Sequence, residues 1–469
     1  MRSLLCFLLL CPLMLSAQIT FKVEGANREP VRVMQPLNGN YHIAAWKNDT
    51  LSNNGELVLP NQPGTNEFLY KQKIYRLYVR PGKTYVLTIN KEEIKIQADD
   101  EEAQLALNRL SLPFYQTVAI KYYKEDTIFA HNKIRVLAEM EQQLQPFHTL
   151  NIDQGFHRYV EKLIKVYYAN LLAGTFMHPM TKLDFNKDQA QVKEIETYWK
   201  TVFAIADPRD PASMTVNTYF DYANFCNTWY FTYFLPGSKG TYKPQVLDDE
   251  YWTRKYDAIQ SDYKEPLREY LTAQWIYAIT MEGGFQSFAL DWYNQFQAVY
   301  PRSIYTTYLR NGINNIRDYQ KKAKNDFATT QHFIEDSINN FDQLAAKFKG
   351  KTVYVDLWAT WCGPCRDEFA YNNGLKQFLK KNNIQALYIS IDADAVDQKW
   401  KDMIKYYDLQ GYHIRASGKL MNDIRNIFGE SRGLAIPRYA IIKDGKMVLN
   451  NAKRPSDQEA LYKQIERFL

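Results

Sequence analysis

The stretch Val353–Phe369, VYVDLWATWCGPCRDEF, decides how this chain is read. It begins inside an unbroken apolar run, TVYVDLW (Thr352–Trp358), the pattern of a strand buried on both faces. A short turn leads to Trp361-Cys362-Gly363-Pro364-Cys365 at the start of a predicted helix. The first turn of a helix has unpaired backbone N–H groups, and these donors favour a thiolate placed there. Cys362 takes that place. The two-residue spacer brings the Cys365 thiol round one turn to reach it, and Pro364 stiffens the turn without breaking the helix. The pair therefore reads as a dithiol that exchanges with disulfides. Cys362 attacks, and Cys365 resolves the mixed disulfide and leaves a Cys362–Cys365 bond. Half of a zinc site and a static disulfide are the competing readings of such a pair. Zinc takes four ligands, no second CxxC exists, and the seven His do not cluster with this one. No metal is expected, and no cofactor beyond the redox-active disulfide itself.

Outward from the motif, residues 327–469 alternate strand and helix patterns, which predicts an α/β domain. Residues 101–326 show helical periodicity. In VKEIETYWKTVF (Val192–Phe203), Val192, Ile195, Trp199, Val202 and Phe203 share one face. VNTYFDYANFCNTWYFTYFL (Val216–Leu235) is apolar or aromatic nearly all round and predicts one long buried helix, with Cys226 as an inert core thiol. Residues 18–100 alternate apolar and polar residues between Gly, Asn and Pro punctuation, as in ITFKVEG (Ile19–Gly25). They predict a small antiparallel, sandwich-like β domain, with Arg80–Lys83 as a turn between two strands. Residues 1–17, MRSLLCFLLLCPLMLSA, place Arg2 before a short apolar stretch and end on Ser16 and Ala17. That is the pattern of a cleaved secretory signal peptide; a retained anchor or a lipoprotein are the alternatives. Removal of the signal leaves Cys226, Cys362 and Cys365: one close pair and one leftover, the count of a redox protein rather than a stapled scaffold.

Composition excludes several classes. The 469 residues are 46% hydrophobic and 23% charged, so the chain has material for real cores. A mean hydropathy of −0.47 excludes a polytopic membrane protein. The net charge of +6 comes from 58 basic and 52 acidic residues spread along the chain, too mild and mixed to call for nucleic acid. Tyr is unusually abundant, at 35, which suggests half-buried packing or a stacking surface.

The segment VYVDLWATWCGPCRDEF resembles the active-site segment of the thioredoxin superfamily, and more specifically the exported TlpA/ResA-like thiol–disulfide oxidoreductases. The resemblance covers residues 327–469, and the extra helix and strand after ALYISID (Ala386–Asp392) resemble the central insertion of TlpA/ResA and of peroxiredoxin-like members. It implies roles for further residues. Asp356 takes the place of the buried acid that accepts the proton of the resolving thiol. Ile436-Pro437 takes the place of the cis-proline whose backbone pairs with the bound substrate. Trp361, Gly363, Pro364, Ile436 and Arg438 are then the surface expected to touch a client. The motif is followed by RDEFA, without the Glu-x-Pro common in TlpA-like proteins, and Arg438 stands where thioredoxin has Thr. Arg438, Arg432 and Lys443 are either a basic patch beside the thiols or solvated surface charge. More weakly, DTLSNNGEL (Asp49–Leu57) and LYVRPGKTYVLTI (Leu77–Ile89) resemble the β domain that precedes thioredoxin modules in some Gram-negative envelope proteins.

The implied activity is reduction of disulfides in client proteins in the periplasm or cell envelope, with recharging by a membrane thiol electron donor; a homodimer is compatible with it. Two other functions remain open at this point. One is a redox-switched binding or sensor protein whose first two domains recognise a polypeptide or glycan. The other is a thiol-dependent peroxidase, although VDLWATWC lacks the Pro of the peroxidatic setting.

Overall fold

The computed structural model describes residues 17–469 apart from 92, 185–186, 232–233, 235–248, 336 and 430–432, together with the side chains of 178–179. The predicted signal segment, except Ala17, and Arg432 therefore lie outside the described residues. The described chain divides into two compact units. The first runs to Trp275 and includes Phe296–Tyr308; the second is Ile276–Gln295 with Leu309–Leu469.

The first unit has eight strands: β1 (Gln18–Val23), β2 (Pro30–Met34), β3 (Trp46–Thr50), β4 (Glu56–Pro60), β5 (Gly64–Tyr70), β6 (Lys73–Val79), β7 (Tyr85–Asn90) and β8 (Glu93–Gln97), with burial alternating along β1, β6 and β7. They form two four-stranded sheets, ordered β4-β1-β7-β8 and β3-β2-β5-β6. β1 and β7 run parallel, and the other pairs are antiparallel. The Arg80–Lys83 turn thus hands the chain from one sheet to the other. Ile19, Phe21, Phe68, Leu77 and Leu87 are fully buried in the core of this region, where Phe21 stacks on Phe68 at 4.6 Å.

The helices of this unit centre on Gln154–Met180 and Gln189–Ile205. Of the single helix predicted over Val216–Leu235, the described residues form a helix, Tyr219–Cys226, followed by a π-helical turn, Asn227–Phe231, and residues 232–233 and 235 lie outside the described residues. The cause lies in side-chain donors. The Asn224 carbonyl accepts from Thr228 Oγ1 (2.8 Å) and from the buried Lys255 Nζ (3.0 Å), which also donates to Thr228 Oγ1. Side chains inserted at a carbonyl in this way open the helical ladder. Two of the tyrosines serve the same region. Tyr219 and Tyr222 are fully buried, and their hydroxyls donate to the loop carbonyls of Pro208 (2.7 Å) and Ala206 (2.6 Å). Each supplies a large apolar body together with a donor for a buried loop.

In the second unit, β9 (Gln331–Phe333), β10 (Thr352–Trp358), β11 (Gln385–Ser390), β12 (Gly411–Arg415), β13 (Arg438–Lys443) and β14 (Lys446–Leu449) form one mixed sheet, ordered β14-β13-β10-β11-β12-β9. β10 is inner, parallel to β11 and antiparallel to β13, and all seven of its residues are buried. Helices Gly363–Glu368, Asn372–Lys381, Asp397–Tyr406, Gly418–Phe428 and Glu459–Glu466 complete the α/β layers. Val353, Val355 and Leu357 of β10 meet Phe341, Leu344, Leu420 and Ile424 in the core on one face. The stretches 276–295 and 309–323, helical in sequence, also belong to this unit. Phe285 lies flat on Tyr319 at 4.3 Å and beside Tyr406 at 4.8 Å.

Candidate active site

β10 ends at Trp358, and the chain turns through Ala359–Trp361 into helix Gly363–Glu368. The Cys362 N–H closes the turn on the Ala359 carbonyl (3.1 Å). Cys362 is the N-cap residue of the helix, and its Sγ accepts the backbone N–H of Cys365 at 3.1 Å. The two cysteines are joined as a disulfide, with Cα atoms 5.3 Å apart. Both are buried, at 4% and 1% exposure, whereas Trp361 immediately before them is 63% exposed.

In the loop leading into β13, the Ile436–Pro437 peptide is cis. Pro364, Ile436, Pro437, Arg438, Tyr439 and Arg454 line a cleft of about 380 Å³ together with neighbouring backbone. The cleft therefore joins the Pro of the redox motif to the cis-proline loop. Gly363 lies between the two cysteines, half-buried. Arg438 begins β13 opposite Leu357 on β10, whereas Lys443 ends the strand opposite Thr352. Lys443 donates there to the Leu469 carbonyl (2.8 Å), so the suggested basic patch does not include it.

Asp356 lies on β10 opposite Tyr439 and is 3% exposed. Its Oδ1 has no hydrogen-bond partner. Burial, reinforced by the charge of Glu368, holds its carboxyl well above the ordinary carboxylate range. Glu368 is a member of the site that sequence reading passed over, although it stands in the quoted segment three residues after Cys365. It is buried, accepts from the Ser456 N–H (2.9 Å) and hydroxyl (3.0 Å), and lies 4.0 Å from Arg454. Its only sequence signal was its spacing, which puts it on the buried side of the redox helix. Asp392 was also missed. Its buried carboxylate accepts the Thr360 N–H (2.9 Å) and hydroxyl (2.9 Å), and Ser390 Oγ donates to it (2.8 Å). This clamp holds the turn that leads into Cys362. Among the described residues, no three His, Cys, Asp or Glu side chains gather to hold a metal ion.

Residues 325–465 match the family model described as Redoxin. The C-terminal domain belongs to the thioredoxin superfamily and is ResA/TlpA-like. Among curated relatives, the thiol-disulfide oxidoreductase ResA of Bacillus thuringiensis subsp. konkukian is 41% identical over 122 residues, which are 26% of this chain and 65% of the relative. The ResA of Oceanobacillus iheyensis is 30% identical over 21% of this chain and 51% of its own. The chain thus spans somewhat less than two thirds of the length of these relatives. A crystal structure of the thioredoxin domain of a thiol-disulfide oxidoreductase from Bacteroides vulgatus matches at 24% identity, 26% of this chain, 81% of its own and a TM-score of 0.22.

Proposed function

We propose that the protein is an exported thiol–disulfide oxidoreductase that reduces disulfides in client proteins. The observation that carries this is the placement of Cys362: it caps the redox helix, its Sγ accepts the Cys365 N–H, and it lies buried beside an exposed Trp361. In the reduced protein, the Cys362 thiolate attacks one sulfur of a client disulfide. The client S–S bond breaks, a Cys362–client bond forms, and the other client sulfur leaves as a thiolate that takes up a proton. Cys365 then loses its proton and attacks Cys362 Sγ. The mixed disulfide breaks, the Cys362–Cys365 bond forms, and the second client thiol departs. Two electrons pass from the protein to the client.

Asp356 is the group assigned to take the Cys365 proton. Burial makes its charged form costly, so its carboxyl binds a proton far more readily than an exposed carboxylate does. The client's extended chain lies in the cleft between Pro364 and Pro437, with Trp361, Gly363, Ile436 and Arg438 as contacts. A Gly-Pro spacer matches thioredoxin, whose potential is about −270 mV, and such a dithiol donates electrons in an oxidising compartment. The protein then needs recharging by a membrane thiol electron donor. Cleavage of residues 1–17 in the envelope is part of the proposal. No described helix is long and apolar enough to cross a membrane. The test is insulin reduction by the mature protein, together with the equilibrium potential of the Cys362–Cys365 pair. A potential near −120 mV would make the protein an oxidant and overturn the direction of electron flow.

A further inference from the structure

Most of the second unit is explained by its sheet and redox helix; the stretch 276–295 is not. It brings the loop Gly283–Ser287 to the redox helix. Arg366, four residues after Cys362, donates from Nη1 to two carbonyls: Thr360 (3.1 Å) and Gly283 (3.3 Å). The Thr360 carbonyl belongs to the turn that delivers Cys362. Its N–H and hydroxyl are already held by Asp392, so Arg366 completes the clamp from the other side.

Gly283 is shaped to this contact. Its φ of +61° suits glycine, and a Cβ built there would stand 2.7 Å from Cζ of Arg366. The guanidinium therefore lies flat against the bare backbone. The loop has anchors of its own. Gln320 Nε2 donates to the Phe285 carbonyl (3.1 Å), and Phe285 stacks on Tyr319. Tyr407 also touches Phe285 and meets Phe369 at 4.9 Å, and Phe369 meets Trp358 of β10 at 5.4 Å. The loop thus reaches the redox turn along two routes, one polar and one aromatic.

We infer that the loop Gly283–Ser287 is a working part of the redox centre, with Arg366 as a positioning residue that ties it to the Thr360 carbonyl and so fixes the turn that presents Cys362. The inference rests on the assignment of Cys362 as nucleophile. Its consequence is that a backbone position eighty residues upstream tunes the thiolate. A loosened turn lets the Cys362 sulfur drift from its N–H donor, which raises its thiol pKa.

The test measures the rate at which iodoacetamide alkylates Cys362 in the reduced, full mature protein between pH 5 and 9, read by peptide mass. Arg366→Ala and Gly283→Ala are each expected to slow alkylation near neutral pH by about fivefold, the worth of one hydrogen bond. The double variant is expected to alkylate at the rate of Arg366→Ala alone, since the added Cβ at 283 acts only through the guanidinium which that variant lacks. Gly283→Ala keeps the cation and only displaces it, so it separates positioning from simple charge. Gly418→Ala, outside the loop, is the control: a Cβ there meets nothing within 4 Å, and the wild-type rate is expected. If Gly283→Ala loses its near-ultraviolet dichroism, Phe285→Leu, which frees the loop from Tyr319, takes its place with the same expectation. A wild-type rate in Gly283→Ala, multiplying effects in the double variant, or equal effects in Gly418→Ala would each overturn the inference. Failure of the wild type to reduce insulin would sink the proposed function instead, while the alkylation comparison would still decide the role of the loop.

Discussion

Cys226 and Cys362 are both buried, at 0% and 4% exposure, yet they occupy opposite chemical situations. Cys226 ends the helix Tyr219–Cys226 in the first unit. Burial pushes its thiol up, and neither the Tyr222 hydroxyl nor Lys255 offsets that. Cys362 sits before the first turn of a helix, where a backbone N–H points at its sulfur. The difference between them lies in backbone position, not in exposure. The same two regions each bury an ionisable group. Lys255, in the first, spends its donors on Asn224 and Thr228, and burial holds its amine well below its ordinary value. Asp356, in the second, keeps Oδ1 without a partner and is held above its ordinary value. The first group props a π-helical turn; the second is the group proposed to take the Cys365 proton.

The contrast between the thiols breaks most easily by substitution. Cys362→Ser is expected to lower insulin reduction by at least about 10³-fold, with Cys226→Ser at the wild-type rate. A Cys226→Ser variant as inactive as Cys362→Ser would end the comparison. Next in size is Asp356→Asn, expected to slow the resolving step by about 10²-fold and to trap the Cys362–client mixed disulfide on non-reducing gels. Equal accumulation in wild type and variant would remove Asp356 from the proton path.

The two buried charges should also bend stability in opposite directions with pH. Asp356 has a raised pKa in the folded protein, so its contribution is intact below about 3.8, its unfolded value, and falls as pH rises towards the folded value. Lys255 has a lowered pKa, so stability rises with pH from that folded value up to the unfolded one. Thermal midpoints of Asp356→Asn relative to wild type should therefore climb between pH 5 and 9, while those of Lys255→Met relative to wild type should fall. Parallel lines in either series would contradict the burial that drives both shifts. The smallest expected effect is that of Glu368→Gln. It keeps an acceptor for Ser456 but removes the secondary charge on Asp356, so the pH profile of the resolving step should move to lower pH. A profile that stayed in place would leave burial as the sole cause.

How much was legible in the sequence varied with the range of the interaction involved. The redox helix, the strand before it and the alternation of the last third follow from local patterns, and the elements lie where those patterns put them. The helix predicted over Val216–Leu235 did not survive as one piece, because Lys255, distant in sequence, reaches the Asn224 carbonyl. Glu368 was in view but silent, since nothing in RDEFA announces that Ser456 and Asp356 converge on it. Asp392 was quoted as the end of a strand, and only the parallel pairing of β10 with β11 brings it to Thr360.

By itself, the sequence determined where the cysteine pair stands and the fold that carries it, because a buried strand, a helix start and a two-residue spacer are features of neighbours along the chain. Only the tertiary structure decided what surrounds the sulfur. Burial of Asp356, the acid behind it in Glu368, the Asp392 clamp and the Gly283 contact with Arg366 all join residues far apart in sequence. Their energies arise from desolvation and hydrogen-bond geometry, which exist only once the chain has closed around them.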